Sequence, residues 1–119
     1  MNKMNRLIVI LLLLVSHSAF AGKATMTAKV TQLLNSNSSG WGGCMVKTDK
    51  SVRQETGLDC SSSWVTFSCT GTYGPKDQAY KMYDSAQMAM VMDYNITFHL
   101  DDEKKHNGFC LATRIDIKK

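Results

Sequence analysis

The chain has 119 residues, 44% of them hydrophobic, and a formal net charge of +4, which suits one small globular domain. Two of its 14 basic residues, Lys3 and Arg6, belong to the first 21 residues. Beyond residue 21, twelve basic residues stand against ten acidic ones, a net charge of only +2. A nucleic-acid-binding protein needs a dense basic surface, so this composition argues against a nucleic-acid partner.

The amino-terminal segment 1–21 has the pattern of a secretory signal peptide. Its two basic residues precede nine apolar residues at 7–15, too few to span a bilayer. Ala19-Phe20-Ala21 then gives the small-x-small pattern that signal peptidase recognises. We predict cleavage before Gly22 and a single domain at 22–119, located in the periplasm or secreted. No later stretch is long and apolar enough to cross a membrane.

Four cysteines follow the predicted leader, and an even number in a short exported chain indicates two disulfides. They are Cys44, Cys60, Cys69 and Cys110. Their spacings of 16, 9 and 41 residues contain no C-x-x-C pair, so a zinc site is disfavoured. We expect no metal and no cofactor.

In the first half of the domain, alternation of apolar and polar residues indicates strands. Met26, Ala28 and Val30 alternate with polar residues and predict one strand face. In chain order, we expect a strand within 22–34, a turn-rich loop over 35–43, a strand over 44–48, an exposed loop over 49–59 and a strand over 64–69.

The second half predicts a helix and two strands. Pro75 suits the first turn of a helix, and an apolar helical stripe follows at Ala79, Met82, Tyr83, Ala86, Ala89 and Met90. A strand over 94–100 should then place Tyr94, Ile96, Phe98 and Leu100 on one face. A turn over 101–108 contains Asn107-Gly108, a strong hairpin signal. In the last strand, one face should carry Phe109, Leu111, Thr113, Ile115 and Ile117.

The resulting order, β-β-β-α-β-β, predicts a mainly β, OB-like five-stranded barrel with one helix plugging an end; an open α+β sheet is the alternative. In the barrel, the second and third strands form a hairpin, which favours Cys44–Cys69. The third and fifth strands run parallel, which favours Cys60–Cys110. The competing pairing, Cys44–Cys60 with Cys69–Cys110, stays open at this point.

Two polar clusters have residue types that occur in chemical sites, but the sequence favours other interpretations of both. Asp101, Asp102 and Glu103 lie near His99 and His106, but no EF-hand spacing is present, and a solvated turn is the simpler interpretation. Ser61-Ser62-Ser63 has no nucleophile-elbow motif around it. The sequence therefore does not predict an enzyme.

Aromatic side chains are the candidates for ligand binding. Trp41, Trp64 and Tyr73 could stack on sugar rings, and Tyr80 is a further aromatic of this kind. Trp41 has a structural alternative, since a lone tryptophan flanked by glycines often covers a core. The partner expected is a glycan or a protein.

Two motifs and the order of elements carry a resemblance. Trp64-Val65-Thr66-Phe67-Ser68-Cys69 and Lys104-Lys105-His106-Asn107-Gly108-Phe109-Cys110 are similar to W-V-x-F-x-C and K-K-H-N-G-x-C motifs of small exported bacterial proteins of unknown function. Across residues 26–117, the pattern of strands, cysteines and helix resembles the OB-fold cell-binding B subunit of subtilase-type pentameric toxins. That resemblance implies a ring-forming homo-oligomer that binds cell-surface glycans; it assigns no sugar-binding residue here.

The sequence thus leads to two main hypotheses about function, with an enzyme that uses His99 and His106 in third place. The first is an exported, non-catalytic binding module for carbohydrate, similar to a toxin B subunit. The second is a structural or protein-interaction protein of the envelope, such as an inhibitor or an assembly partner.

Overall fold

The computed structural model describes residues 22–119, so the predicted leader lies outside the described residues. The domain is mainly β. Its elements are β1 (Lys23–Ala28), β2 (Val30–Asn35), β3 (Cys44–Thr48), α1 (Val52–Thr56), β4 (Trp64–Thr66), α2 (Lys76–Met92), β5 (Asn95–His106) and β6 (Phe109–Lys118); a 3-10 turn, Ser39–Trp41, lies between β2 and β3.

The six strands form one mixed sheet in the order β1-β5-β6-β4-β3-β2. β4 and β6 run parallel, as predicted for the third and fifth strands, and the other neighbours are antiparallel. The two outermost strands, β1 and β2, are consecutive in the chain and only Lys29 separates them. The two edge strands of the sheet are therefore connected through a single residue.

The prediction of five strands differs from the six observed because the first strand breaks at Lys29. Its backbone N–H donates to Asp49 Oδ1 at 2.9 Å, and its carbonyl accepts from the Asp49 N–H at 3.0 Å. Both main-chain groups of Lys29 are thereby taken out of the strand ladders. Before the break, β1 pairs with β5; after it, β2 pairs with β3.

The core lies between the inner face of the sheet and α2, and the predicted inward faces of the first strand and of β5 are confirmed. Met26, Ala28 and Val30 are buried, as are Ile96, Phe98 and Leu100. The helix buries Ala79, Tyr83, Ala86 and Ala89, and the Tyr83 ring packs edge-on against Phe67 with centroids 6.2 Å apart. Met90 was expected in the buried stripe, but it is 37% exposed.

The prediction of an exposed loop over 49–59 is correct for most of its side chains, but Val52–Thr56 form a short helix. Ser51 caps the short helix α1 by accepting a hydrogen bond from the Gln54 N–H at 3.4 Å, and Gly57 ends the helix with φ of 75°. Val52 is fully buried and Leu58 is 5% exposed, and α1 packs against β1. Two apolar residues among charged ones thus anchor this segment.

The turn between β5 and β6 is much shorter than predicted. Asn107 and Gly108 form it, both with positive φ, as the sequence indicated. β5, however, continues to His106, and Asp101 and Asp102 are 3% and 4% exposed rather than part of a solvated tip. Their burial is possible because their carboxylates accept backbone N–H groups.

A bulge in β6 corrects the predicted face of that strand. His99 pairs with Arg114 and Leu100 pairs with Ala112, so Thr113 is an extra residue in β6. The inward set is therefore Cys110 and Ala112 before the bulge and Ile115 and Ile117 after it. Uninterrupted alternation would have placed Phe109, Leu111 and Thr113 on the inward face with the two isoleucines.

Two disulfides join Cys44 to Cys69 and Cys60 to Cys110, with Cα–Cα distances of 5.6 and 5.5 Å. This is the pairing that the strand order favoured. The first closes the β3–β4 hairpin. The second links the segment before β4 to the start of β6, its parallel neighbour. Structural disulfides of this kind are typical of oxidising compartments.

Candidate functional site

The loop between β2 and β3 folds back over the outer face of the sheet. It contains the 3-10 turn Ser39–Trp41, and the backbone carbonyl of Trp41 accepts a hydrogen bond from Thr66 Oγ1 at 3.1 Å. The Thr70 N–H donates to the Gly42 carbonyl at 3.1 Å. The loop thus covers Thr66 and Met45, which is why both are buried although they lie on the outer face, opposite the core-facing Val46 and Val65.

Beside this loop lies the aromatic cleft, which we define by Leu34, Trp41, Met45, Trp64 and Phe109. Its volume is about 210 Å³. Met45 forms the floor, since it is 1% exposed and pairs with Leu34 on one side and Thr66 on the other. Trp41 is 40% exposed at the rim, and Trp64 and Phe109 are half-buried. The cleft therefore offers flat apolar surfaces that solvent reaches.

Of the three aromatic residues predicted to bind a ligand, the structure brings two together. Trp41 and Trp64 share the aromatic cleft, whereas Tyr73 lines a separate cavity of about 180 Å³ between the start of α2 and β6. Tyr80 is 44% exposed on α2 and lines neither cavity. The sequence did not single out Leu34, Met45 or Phe109, because their place in the cleft depends on the fold of the covering loop.

One polar side chain stands next to the cleft. Lys47 pairs directly with Trp64 in the β3–β4 ladder, so both side chains lie on the outer face, and Lys47 is exposed. An ammonium group beside an indole can donate hydrogen bonds to hydroxyl or carboxylate oxygens of a molecule stacked on the ring. The arrangement suits a ligand that has an apolar face and polar edges.

A second group of residues, the His106 cluster, consists of Ser68, Tyr73 and His106. Ser68 Oγ lies 2.8 Å from His106 Nε2. The Tyr73 ring meets the imidazole edge-on with centroids 5.1 Å apart, and the Tyr73 hydroxyl donates to the Lys105 carbonyl at 2.8 Å. The cluster fastens the segment after β4 to the end of β5.

Partial burial lowers the pKa of His106 below its ordinary value. The neutral imidazole is therefore favoured at neutral pH. Its Nε2 then accepts the Ser68 hydroxyl proton in a hydrogen bond when the other ring nitrogen carries the hydrogen. Ser68 itself is 2% exposed and has φ of 58°, a left-handed conformation that is uncommon outside glycine.

A serine hydrogen-bonded to a neutral histidine is also one part of a hydrolytic dyad; in this domain the pair joins the segment after β4 to the end of β5. Ser68 Oγ is enclosed, and its N–H donates to Thr66 Oγ1 at 3.1 Å, next to the covering loop. The buried carboxylates of Asp101 and Asp102 hydrogen-bond to backbone N–H groups rather than to the imidazole. Asp101 accepts the Glu103 N–H, and Asp102 accepts the N–H groups of Gly22 and Asp59.

Within residues 22–119, no group of three or more histidine, cysteine or acidic side chains is placed to hold a metal ion. Asp101, Asp102 and Glu103 do not converge with His99, which instead lies 2.9 Å from Asp116 Oδ2. In the same part of the chain, no helix has the length and apolar character needed to cross a membrane.

Comparison with family models, with curated proteins and with solved structures finds no match for this chain. The case for function therefore depends on the geometry described above.

Proposed function

We propose that this chain is an exported, non-catalytic binding module that takes carbohydrate at the aromatic cleft. The observation that carries the proposal is the meeting of Trp41 and Trp64 in one solvent-reachable cleft, with Phe109 beside them. Indole rings offer large rigid surfaces on which the C–H faces of sugar rings can lie. Lys47, which pairs with Trp64, can donate hydrogen bonds to the sugar hydroxyl groups.

The place of the cleft in the sheet supports this proposal. We propose that the sheet is an OB-like barrel in which β1 and β2 together make one bent first strand, with α2 covering one end. Three findings favour this: the edge strands meet at Lys29, β4 and β6 are parallel, and α2 lies between β4 and β5. Barrels of this type bind oligosaccharides and oligonucleotides on their second and third strands, which here are β3 and β4.

The resemblance to the B subunits of subtilase-type toxins belongs to the same proposal. It adds a ring of identical subunits and a cell-surface glycan as the ligand. Export to the periplasm or beyond is supported by the leader pattern of residues 1–21 and by the two disulfides. This part of the proposal is a fold-level analogy.

A glycan array followed by calorimetry with matched variants tests the proposal. Trp41→Ala and Trp64→Ala should each weaken binding of the selected glycan at least tenfold, about 1.4 kcal/mol, because each removes one stacking surface. Tyr80→Ala is the matched control, since Tyr80 is as exposed as Trp41 but lies on α2. Absence of any bound glycan, or equal loss in the control, would refute carbohydrate binding at this cleft.

An alternative function, protein interaction in the envelope, is favoured by a different surface. The carboxyl-terminal part of α2 exposes Met88, Val91 and Met92 at 47%, 83% and 51%. Three large apolar side chains on one helix end are suited to contact with another protein or with a second copy of the chain.

Native mass spectrometry of the wild type and of Val91→Lys tests this alternative. If α2 forms a subunit contact, the lysine variant should shift the population toward monomer, because a charge would be buried in an apolar interface. Cross-linking and pull-down from the periplasm should then identify any different partner. A wild-type protein that is monomeric and captures nothing would count against the alternative.

A further inference from the structure

Asp102 is a buried carboxylate that holds the first residue of the described chain. It lies in β5 and is only 4% exposed. Its Oδ1 accepts a hydrogen bond from the Gly22 backbone nitrogen at 2.6 Å, and its Oδ2 accepts one from the Asp59 N–H at 3.1 Å. Its own N–H donates to the Gly22 carbonyl at 3.1 Å. One residue thus binds Gly22 at both its nitrogen and its oxygen.

This carboxylate has hydrogen bonds but no positive partner among the side chains of residues 22–119. Lys105 is directed toward Asp59, a hydrogen-bond partner of Asp102: its Nζ lies 2.9 Å from the Asp59 carbonyl and 3.6 Å from Asp59 Oδ2. None of the ion pairs formed within the described chain includes Asp102. Backbone hydrogen bonds offset part of the cost of burying a carboxylate, and a cation beside it offsets more.

The leader pattern places signal-peptidase cleavage at the bond between Ala21 and Gly22. Hydrolysis adds one water across that bond. The new carboxylate stays on Ala21 and leaves with the leader, and the Gly22 nitrogen becomes a primary amine. An α-amino group is mostly protonated at neutral pH. The atom that contacts Asp102 Oδ1 thereby changes from a neutral amide nitrogen to a cation.

We propose that Asp102 is the binding site for the amino terminus freed by cleavage between Ala21 and Gly22. The resulting ion pair supplies the missing positive partner and fixes the start of β1 against β5, whose register begins at Lys23 and Asp101. The site also distinguishes an amino terminus at Gly22 from one at a neighbouring residue. A terminus shifted by one residue moves the ammonium by about 3.8 Å, beyond hydrogen-bond distance.

The first test uses the full-length chain, exported and processed in a bacterial host. The intact mass of the purified protein should equal that of residues 22–119 with two disulfides. A short pulse of an acylating reagent at neutral pH then measures how fast the Gly22 amine reacts. We expect it to react at least tenfold more slowly than a free glycine terminus, and to lose that protection in Asp102→Asn.

Asp101→Asn is the matched control. Asp101 is equally buried and adjacent, but its Oδ1 accepts the Glu103 N–H rather than a group of Gly22. Protection of the amine should survive this change. A purified protein that begins at another residue, or an amine that reacts as fast as a free glycine terminus, would overturn the proposal.

A second measurement does not require Asp102→Asn to fold. Acetylating the α-amine while the wild-type chain is unfolded with its disulfides intact, at a pH where this amine reacts before the lysines, and then refolding the chain keeps an N–H donor on Gly22 and removes its charge. The added acetyl group takes the place that the Ala21 carbonyl has before cleavage. The thermal midpoint should fall by at least about 4 °C, and an unchanged midpoint would contradict the ion pair. Binding of the amino terminus by Asp102 depends on export and not on a ligand. It can therefore be refuted while carbohydrate binding at the aromatic cleft is upheld, and carbohydrate binding can be refuted while it is upheld.

Discussion

Gly42 lies directly against the imidazole of His106. A Cβ atom placed on Gly42 would be 2.6 Å from His106 Cδ2 and 2.6 Å from Thr66 Oγ1, and Gly42 has φ of 76°. The covering loop can therefore reach β4 and the end of β5 only because this residue has no side chain. The position of Trp41, one residue earlier, depends on the same close approach.

The substitution Gly42→Ala should destabilise the domain by about 2–4 kcal/mol, from the left-handed backbone and the steric overlap together. Urea unfolding followed by tryptophan fluorescence measures this loss. Gly40→Ala is the control, because a Cβ on Gly40 would meet only Ser38 Oγ, at 3.5 Å, and its φ is not positive. We expect it to change stability by no more than about 0.5 kcal/mol; equal effects of the two changes would contradict the close approach.

His106 should make the domain less stable as the pH falls below 6.5, the ordinary pKa of histidine. Burial lowers the pKa of His106 in the folded protein, so between that lowered value and 6.5 the unfolded chain binds more protons. The free energy of unfolding therefore rises with pH across this window and is fully restored above it.

The pH effect is measured by denaturant unfolding of the wild type and His106→Gln between pH 5 and pH 8. His106→Gln should be less stable at pH 8, because Ser68 and Tyr73 lose their contacts with the ring. The difference between the two proteins should narrow toward pH 5. A constant difference across the range would show that His106 does not titrate with a lowered pKa.

The two disulfides should contribute unequally to stability. Their partners are 25 and 50 residues apart in sequence. On the chain-entropy argument, Cys44→Ala with Cys69→Ala should cost about 3.5 kcal/mol and Cys60→Ala with Cys110→Ala about 4 kcal/mol. Guanidinium unfolding of the two double variants tests the order. A clearly larger loss for the shorter loop would show that packing, and not loop closure, dominates.

The short helix α1 should prove to be part of the core. Val52→Ala removes two fully buried methyl groups and should cost about 2–3 kcal/mol. Gln54→Ala, on the exposed side of the same helix, should change stability by less than about 0.5 kcal/mol. Thermal unfolding compares the two. Equal and small effects would mean that this segment is only a surface loop.

The sequence predicts the parts of the fold that depend on local periodicity. Ile96, Phe98 and Leu100 were assigned to the core by simple alternation, and the stripe of α2 was correct except for Met90 at its exposed end. The strand order that followed from these elements was enough to favour the observed disulfide pairing.

Features that depend on pairing with a distant strand were not predictable. The break at Lys29 arises from hydrogen bonds with Asp49, and the bulge at Thr113 appears only in the register with β5. Neither residue has a local composition that indicates its role. The sequence indicates a solvated turn at Asp102. Its burial could not be predicted, because its partners Gly22 and Asp59 are 80 and 43 residues away in sequence.

The candidate site was predictable only as separate residues. Trp41 and Trp64 were singled out because aromatic side chains suit ligand binding. Their meeting in one cleft, however, requires the loop that Gly42 holds against His106. Tyr73 is also an aromatic residue that could stack on a sugar ring, but the structure places it in the His106 cluster.

The two disulfides overlap along the chain, since Cys60 lies inside the loop closed by Cys44 and Cys69, and Cys110 lies outside it. A single backbone cut anywhere between Cys44 and Cys110 therefore leaves the two fragments joined by at least one disulfide. A protease that nicks one exposed loop in this region cannot release either piece. The domain should consequently survive limited digestion as one covalent particle, and it should separate into fragments only after reduction.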